Sequence, residues 1–249
     1  IGNKTSLKTI YSINGTNYRE EDNYYNKIKG PLIVTRNNQF QELNAILSIV
    51  ATHKINKKNL IKVGFNTNGK NFFLNQREAV SNVLKDKVKE EGDTRLSQYF
   101  LQWKLDPSNK VRFLMGLHGQ YFALNRSHAI EPRMGIRIQT GKTQFFSAGY
   151  GLHSQIQPLG NYFARIRVGV DSIQPNRNLD FSKAQHYVVG YNIQFKQNWN
   201  FKIEAYYQSL YAIPVAASTK TSFSLINQED NYVIAALSNK GKGKNYGIE

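Results

Sequence analysis

The sequence predicts an all-β protein: a segment of an antiparallel transmembrane β-barrel, about ten strands and so a partial barrel, with long extracellular loops and short periplasmic turns. Three observations predict it. Apolar residues alternate with period two from end to end, the connections alternate short and long, and the polar strand face lacks ordinary surface residues.

The alternation opens with Leu7, Thr9, Tyr11 and Ile13, then Leu43, Ala45, Leu47 and Ile49, then Ile61, Val63 and Phe65. Tyr99, Leu101, Trp103 and Leu105 follow, and then Val111, Phe113, Met115, Leu117 and Tyr121. Met134, Ile136 and Ile138 precede a run from Phe146 to Ile156. Tyr187 to Phe195, Phe201 to Tyr207, and a last start at Tyr246 and Ile248 complete the set. Each fits a strand with one apolar face.

Tight turns are expected at "INKKN", "DPSNK", "TGKT" and "KQNWN", each with the Asn, Asp, Gly or Pro that such turns select. Long segments at 14–41, 66–95, 157–184 and 214–245, and a shorter one at 125–131, read as loops. Sorting of loops by parity is the asymmetry of an outer-membrane barrel. Aromatics near strand ends, among them Trp103, Tyr121, Tyr187, Phe195, Phe201 and Tyr207, fit headgroup girdles. In "REAVSNVLKDKVKEEGD", Val80, Val83 or Leu84, and Val88 stand at helical spacing, which suits a short amphipathic helix in a loop or a solvated charge run equally.

In "QFFSAGYGLHSQIQP" the greasy face is Phe146, Ala148, Tyr150, Leu152, Ser154 and Ile156, and between them lie glycine, amide and imidazole with no Lys or Glu. Elsewhere the polar face carries Arg112, His118, Gln120, Arg133, Arg137, His153, Gln155, Gln157 and Asn192, which are the candidate ligand-binding residues of a lumen. Arg112, Arg133, Arg137 and Lys202 outnumber Glu204 there, so the lumen reads as basic and suited to acidic plug residues or an anionic ligand.

With 249 residues, 40% hydrophobic, and a mean hydropathy of -0.52, the chain has no apolar run long enough for a spanning helix. Low hydropathy does not argue against a barrel, because half of each strand faces a polar lumen. Cysteine is absent, which excludes disulfides, thiolate metal sites and a Cys nucleophile. The net charge of +16 raises nucleic-acid binding, but the basic residues are scattered and neither ribonucleoprotein aromatic motifs nor a helix-turn-helix pattern accompany them. "GIRIQTGKT" has P-loop residues at the wrong spacing and is followed by a strand, so it reads as a hairpin turn. The five histidines have no ligand spacing, and no nucleophile elbow occurs; no enzyme, metal or cofactor is expected.

"GYGLHSQIQPLGNYF", "LDFSKAQHYVVGYN", "WNFKIEAYYQSLYAIPV" and "NKGKGKNYGIE" resemble late barrel strands and loops of TonB-dependent outer-membrane receptors, especially the subgroup with an N-terminal carboxypeptidase-regulatory-like domain. The resemblance covers residues 95–249 best. It implies one partial barrel domain over 1–249, with plug, N-terminal domain and closing strands outside this stretch. It further implies an outer-membrane location in a Gram-negative bacterium and uptake of a scarce siderophore, vitamin, glycan or peptide. The implied partners are outer-membrane lipid, the ligand, and TonB acting through the plug. Two other readings stay open: a barrel for adhesion or surface anchoring, and a soluble basic β module for glycan or nucleic acid.

Overall fold

The computed structural model describes residues 4–25, 32–169, 171–195, 199–218, 221–228 and 235–249. The first seven strands are β1 (Thr5–Tyr25), β2 (Leu32–Lys54), β3 (Asn59–Val80), β4 (Val83–Ser108), β5 (Val111–Phe122), β6 (Ser127–Gln139) and β7 (Gln144–Gln155). A connection containing the single-turn helix α1 (Leu159–Tyr162) and a small hairpin, β8 (Ile166–Val168) with β9 (Asp171–Ile173), leads to β10 (Ser182–Phe195). β11 (Trp199–Ala216) and β12 (Leu237–Ile248) follow. Ten of these form one antiparallel sheet in the order β1-β2-β3-β4-β5-β6-β7-β10-β11-β12.

Because every sheet strand pairs antiparallel with its chain neighbour, the connections after β2, β4, β6 and β10 lie on one rim. These are the four predicted tight turns. Residues 196–198 of "KQNWN" lie outside the described residues, and the pair Phe195 and Trp199 closes that hairpin.

The predicted long loops need correction. Residues 14–25 and 32–41 continue β1 and β2, and 66–95 is one uninterrupted hairpin of β3 and β4. No helix forms at Val80 to Val88: Ser81 and Asn82 have φ of 53° and 63°, the left-handed pair that a two-residue hairpin turn requires. About 9 to 11 residues cross a bilayer, so these strands of 21 to 26 residues run well beyond it. Their outer halves are largely polar on the outer face and carry only Phe40, Phe72, Leu74 and Val88 as buried apolar residues on the inner one, too few to read as a sustained apolar period. β12 likewise begins at Leu237, earlier than Tyr246, through the polar run "LSNKGKGK" paired with β11.

One face of the sheet is apolar and unpacked, with Leu7, Leu43, Val63, Leu101, Leu117, Met134, Val189 and Ile203 all exposed. On that face Tyr150, Tyr187, Tyr207 and Tyr246 form a cross-strand row, with successive ring centroids 5.1, 6.3 and 6.5 Å apart. Phe195, Trp199 and Phe201 stand exposed beside the tight-turn rim. Two aromatic levels on one apolar face are the girdles of a lipid-facing wall.

The buried core lies at the far end of the opposite face. There Phe40, Phe72, Leu74, Val88 and Phe122 of the sheet meet Leu159, Tyr162, Phe163, Leu179 and Phe181 of the connection 156–181. Phe163 packs on Phe72 at 5.2 Å, Tyr162 on Phe122 at 5.4 Å, and Arg177 stacks on Phe163 at 4.4 Å. This segment therefore folds inward over the polar face. Arg165 pairs with Glu90 of β4 at 2.8 Å, and the Asn125 amide donates to the Leu179 carbonyl at 2.7 Å.

Candidate functional site

The polar face converges on a carboxylate that sequence reading placed in a loop. Glu131 belongs to β6, in phase with Arg133, Gly135 and Arg137, and its side chain is fully buried. Pairing of β6 with β7 runs from Gln139 only as far as Arg133 opposite Gly151. One residue beyond stands Pro132, which has no N–H to give a ladder. The two strands part there, and the Glu131 carboxylate occupies the fork.

Its oxygens are fully engaged. Oε1 accepts the Ser154 backbone N–H at 2.9 Å, the Gln120 amide at 2.5 Å, and the Ser154 hydroxyl. Oε2 faces His118 Nδ1 at 2.8 Å and accepts from Arg133 Nη2 at 2.6 Å. Gln98 extends the network, donating to Gln120 at 3.0 Å. A buried carboxylate is tolerable because donors satisfy it from three strands. Ser154, read as part of the greasy face, is thus a member of the polar network.

Beside this cluster the His153 and His186 rings meet at a tilt of 49° with centroids 4.6 Å apart, and His186 Nδ1 lies 3.4 Å from the Gln208 amide. Among the described residues, no three His, Cys, Asp or Glu side chains gather in a way that could hold a metal ion.

The nine predicted residues separate into three groups. His118, Gln120, Arg133 and His153 come together around Glu131. Arg112, Arg137 and Asn192 lie toward the tight-turn rim: Arg112 forms an ion pair with Asp106 at 2.7 Å, Arg137 stacks on Phe145 at 4.0 Å, and Asn192 stands opposite Lys202. The Arg112 guanidinium holds the Asp106 carboxyl below the usual carboxylate range. Gln155 and Gln157 form the base of the inward connection. Gln155 is exposed, whereas Gln157 is buried and donates from its backbone to Tyr162 Oη at 3.1 Å and from its side chain to Ser182 Oγ at 2.9 Å. The role this geometry gives Gln157 is to pin the connection.

Three of the four cations counted from sequence have a carboxylate partner: Arg112 pairs with Asp106, which Lys104 shares, Arg133 with Glu131, and Lys202 with Glu204.

No family model matches the sequence, and no curated protein matches it. Solved structures do. The siderophore receptor PirA from Pseudomonas aeruginosa is similar over 100% of this chain and 50% of its own, with a TM-score of 0.62 at 13% identity. Fiu, the ferric-catecholate import receptor from K12 E. coli, is similar over 100% of this chain and 42% of its own, with a TM-score of 0.68 at 10% identity. The RagAB peptide importer in its closed-closed state gives a TM-score of 0.63 at 11% identity, over 100% of this chain and 32% of its own. These neighbours are TonB-dependent receptors, and the chain spans half or less of their length. The fold is that of an outer-membrane β-barrel wall.

Proposed function

We propose that this chain is part of the barrel of a TonB-dependent outer-membrane receptor that imports a scarce solute. The observation that carries the reading is the two-sided wall: an apolar face with aromatic girdles outside, and inside a polar face that holds a buried, fully satisfied carboxylate beneath an inward-folded segment. Such a wall separates lipid from a polar lumen. The subgroup with a carboxypeptidase-regulatory-like domain, a plug elsewhere in the parent chain, and location in a Gram-negative outer membrane belong to the same proposal. Similarity to a siderophore receptor, a ferric-catecholate import receptor and a peptide importer supports uptake as the class of function.

Within the lumen, His118, Gln120, Arg133 and His153 are the proposed ligand-facing group, with Arg112, Arg137, Gln155, Gln157 and Asn192 as outlying members. Local pairing of the cations favours a polar solute recognised by hydrogen bonds over one selected by net charge. The test is uptake by cells that lack the complete parent gene, measured for ferric siderophores, cobalamin-type vitamins, oligosaccharides and peptides, with TonB present and absent. Loss of one class in both mutants is expected. Undiminished uptake of all four, with loss of adhesion instead, would replace import by surface anchoring.

A further inference from the structure

Farther from the tight turns than the Glu131 network lies a small cavity that this network does not use. Its volume is about 170 Å³, and its apolar wall is Ile156, Pro158, Ile213, Pro214, Leu225 and Ile226. Gln155, Ser182 and Gln228 supply a polar edge. Gln155 stands two residues beyond His153 on β7, with Ser182 opposite it on β10. The cavity therefore begins roughly 7 Å outward from the His153 position along the strand.

Its walls are held in place from two sides. The pairing of β11 with β12 is irregular between Leu210 and Ile213, and Ala212 there has a φ of 53°. A left-handed alanine is strained, and such residues persist only where the surroundings hold them, often at ligand clamps. Asn239 holds this one: its Nδ2 donates to the Ala212 carbonyl at 2.8 Å and to the Asp180 carbonyl at 3.1 Å, and its Oδ1 accepts the Asp180 N–H at 2.9 Å. One side chain thus ties the end of the inward connection to β11, beside the buried Ile213 and Pro214. Across the cavity, Gln157 donates to Ser182 Oγ at 2.9 Å and fixes the stretch that carries Ile156 and Pro158. A cavity whose walls are tied before anything enters loses little order on binding.

We infer that this cavity seats one leucine- or phenylalanine-sized side chain of a short peptide, with the peptide's amide groups on the exposed Gln155 and Gln228 side chains. An apolar cavity of about 150 Å³ holds a benzene ring, so the size fits such a side chain. Primary amides donate and accept at once and carry no charge, as peptide groups do. A glycan would match those amides but has no compact apolar group to fill the wall. The inference rests on the import reading and narrows its solute.

In the experiment the complete receptor, purified in detergent, is titrated calorimetrically with end-blocked tetrapeptides Ala-Ala-X-Ala in which X is Ala, Leu, Phe or Lys. Leu and Phe at X should bind about ten-fold more tightly than Ala or Lys, the discrimination that a few buried methylenes give in an apolar pocket. Ile226→Trp, at an exposed position of the turn Leu225–Asn227, should fill the cavity and bring the four peptides to equal affinity. Equal affinities for wild type, or a Leu and Phe preference that survives in a heat-modifiable Ile226→Trp receptor, overturns the inference. So does binding of none of the four while cells lacking the parent gene lose uptake of another solute class, and that result leaves the import reading standing. Undiminished uptake of every class in those cells overturns both. If Ile226→Trp fails to fold, the peptide series on the wild-type receptor decides the matter.

Discussion

The Glu131 carboxylate accepts the Ser154 backbone N–H at 2.9 Å and so does the work of a missing strand partner. Where β6 and β7 part, a side chain stands in for a peptide carbonyl. The same oxygen pair holds His118, Gln120 and Arg133 in place, which joins the seam of the wall to the arrangement of its polar face.

Glu131→Ala should therefore cost about 1 to 3 kcal/mol, because it takes an acceptor from the buried Gln120 amide and the Ser154 N–H, while the exposed Arg133 turns to water. Chemical unfolding of the complete receptor in bilayers measures the loss. Glu131→Gln keeps one acceptor oxygen and should fall between wild type and alanine. A wild-type midpoint for the alanine variant would show that the fork is held by other contacts.

The assignment of faces is tested on β10. Val189 is exposed on the apolar side and Asn192, three residues on, faces the other way beside Lys202. Val189→Arg should lose about 2 to 4 kcal/mol of barrel stability, the cost of arginine at the bilayer midplane. Asn192→Arg should fold and alter uptake instead. The reverse pattern, read by heat-modifiable mobility, would invert the inner and outer faces.

Phe163→Ala should release the inward connection while sparing the barrel. Phe163 lies between Phe72 and Arg177, and truncating a buried phenylalanine costs about 3 to 5 kcal/mol. New protease cuts within 156–181, with the barrel fragments still heat-modifiable, are the expected result. Resistance equal to wild type would mean that Arg165 and Asn125 suffice to hold the segment.

Alkali should loosen the same segment. Burial pushes the Tyr162 hydroxyl up to about 12. A group whose pKa is raised on folding stabilises fully below its unfolded value, near 10, and that contribution is lost as pH rises through the folded value. The connection should thus become protease-sensitive between about pH 10 and 12. Tyr162→Phe keeps the ring on Phe122 and removes this titration, so its sensitivity should not change over that window beyond the background seen elsewhere in the barrel.

The sequence by itself determined the strands that cross lipid, the face each turns outward, and the rim that holds the tight turns. These are local properties: an apolar residue at every second position, and Asn, Asp, Gly or Pro where the chain reverses. Tertiary structure alone decided the rest. Beyond the bilayer, 66–95 keeps its strand ladder with only the short apolar alternation of Phe72 and Leu74, because backbone pairing needs only a neighbour, and the helical spacing of Val80 and Val88 was fortuitous. Glu131 carried one legible sign, its phase with Arg133 and Arg137, but its meaning comes from Gln120 on β5 and Ser154 on β7. The inward fold of 156–181 likewise depends on Phe72 and Phe122, distant in the chain. A buried charge and an aromatic cluster exist only where several strands meet, and hydrophobic alternation along one strand does not record that meeting.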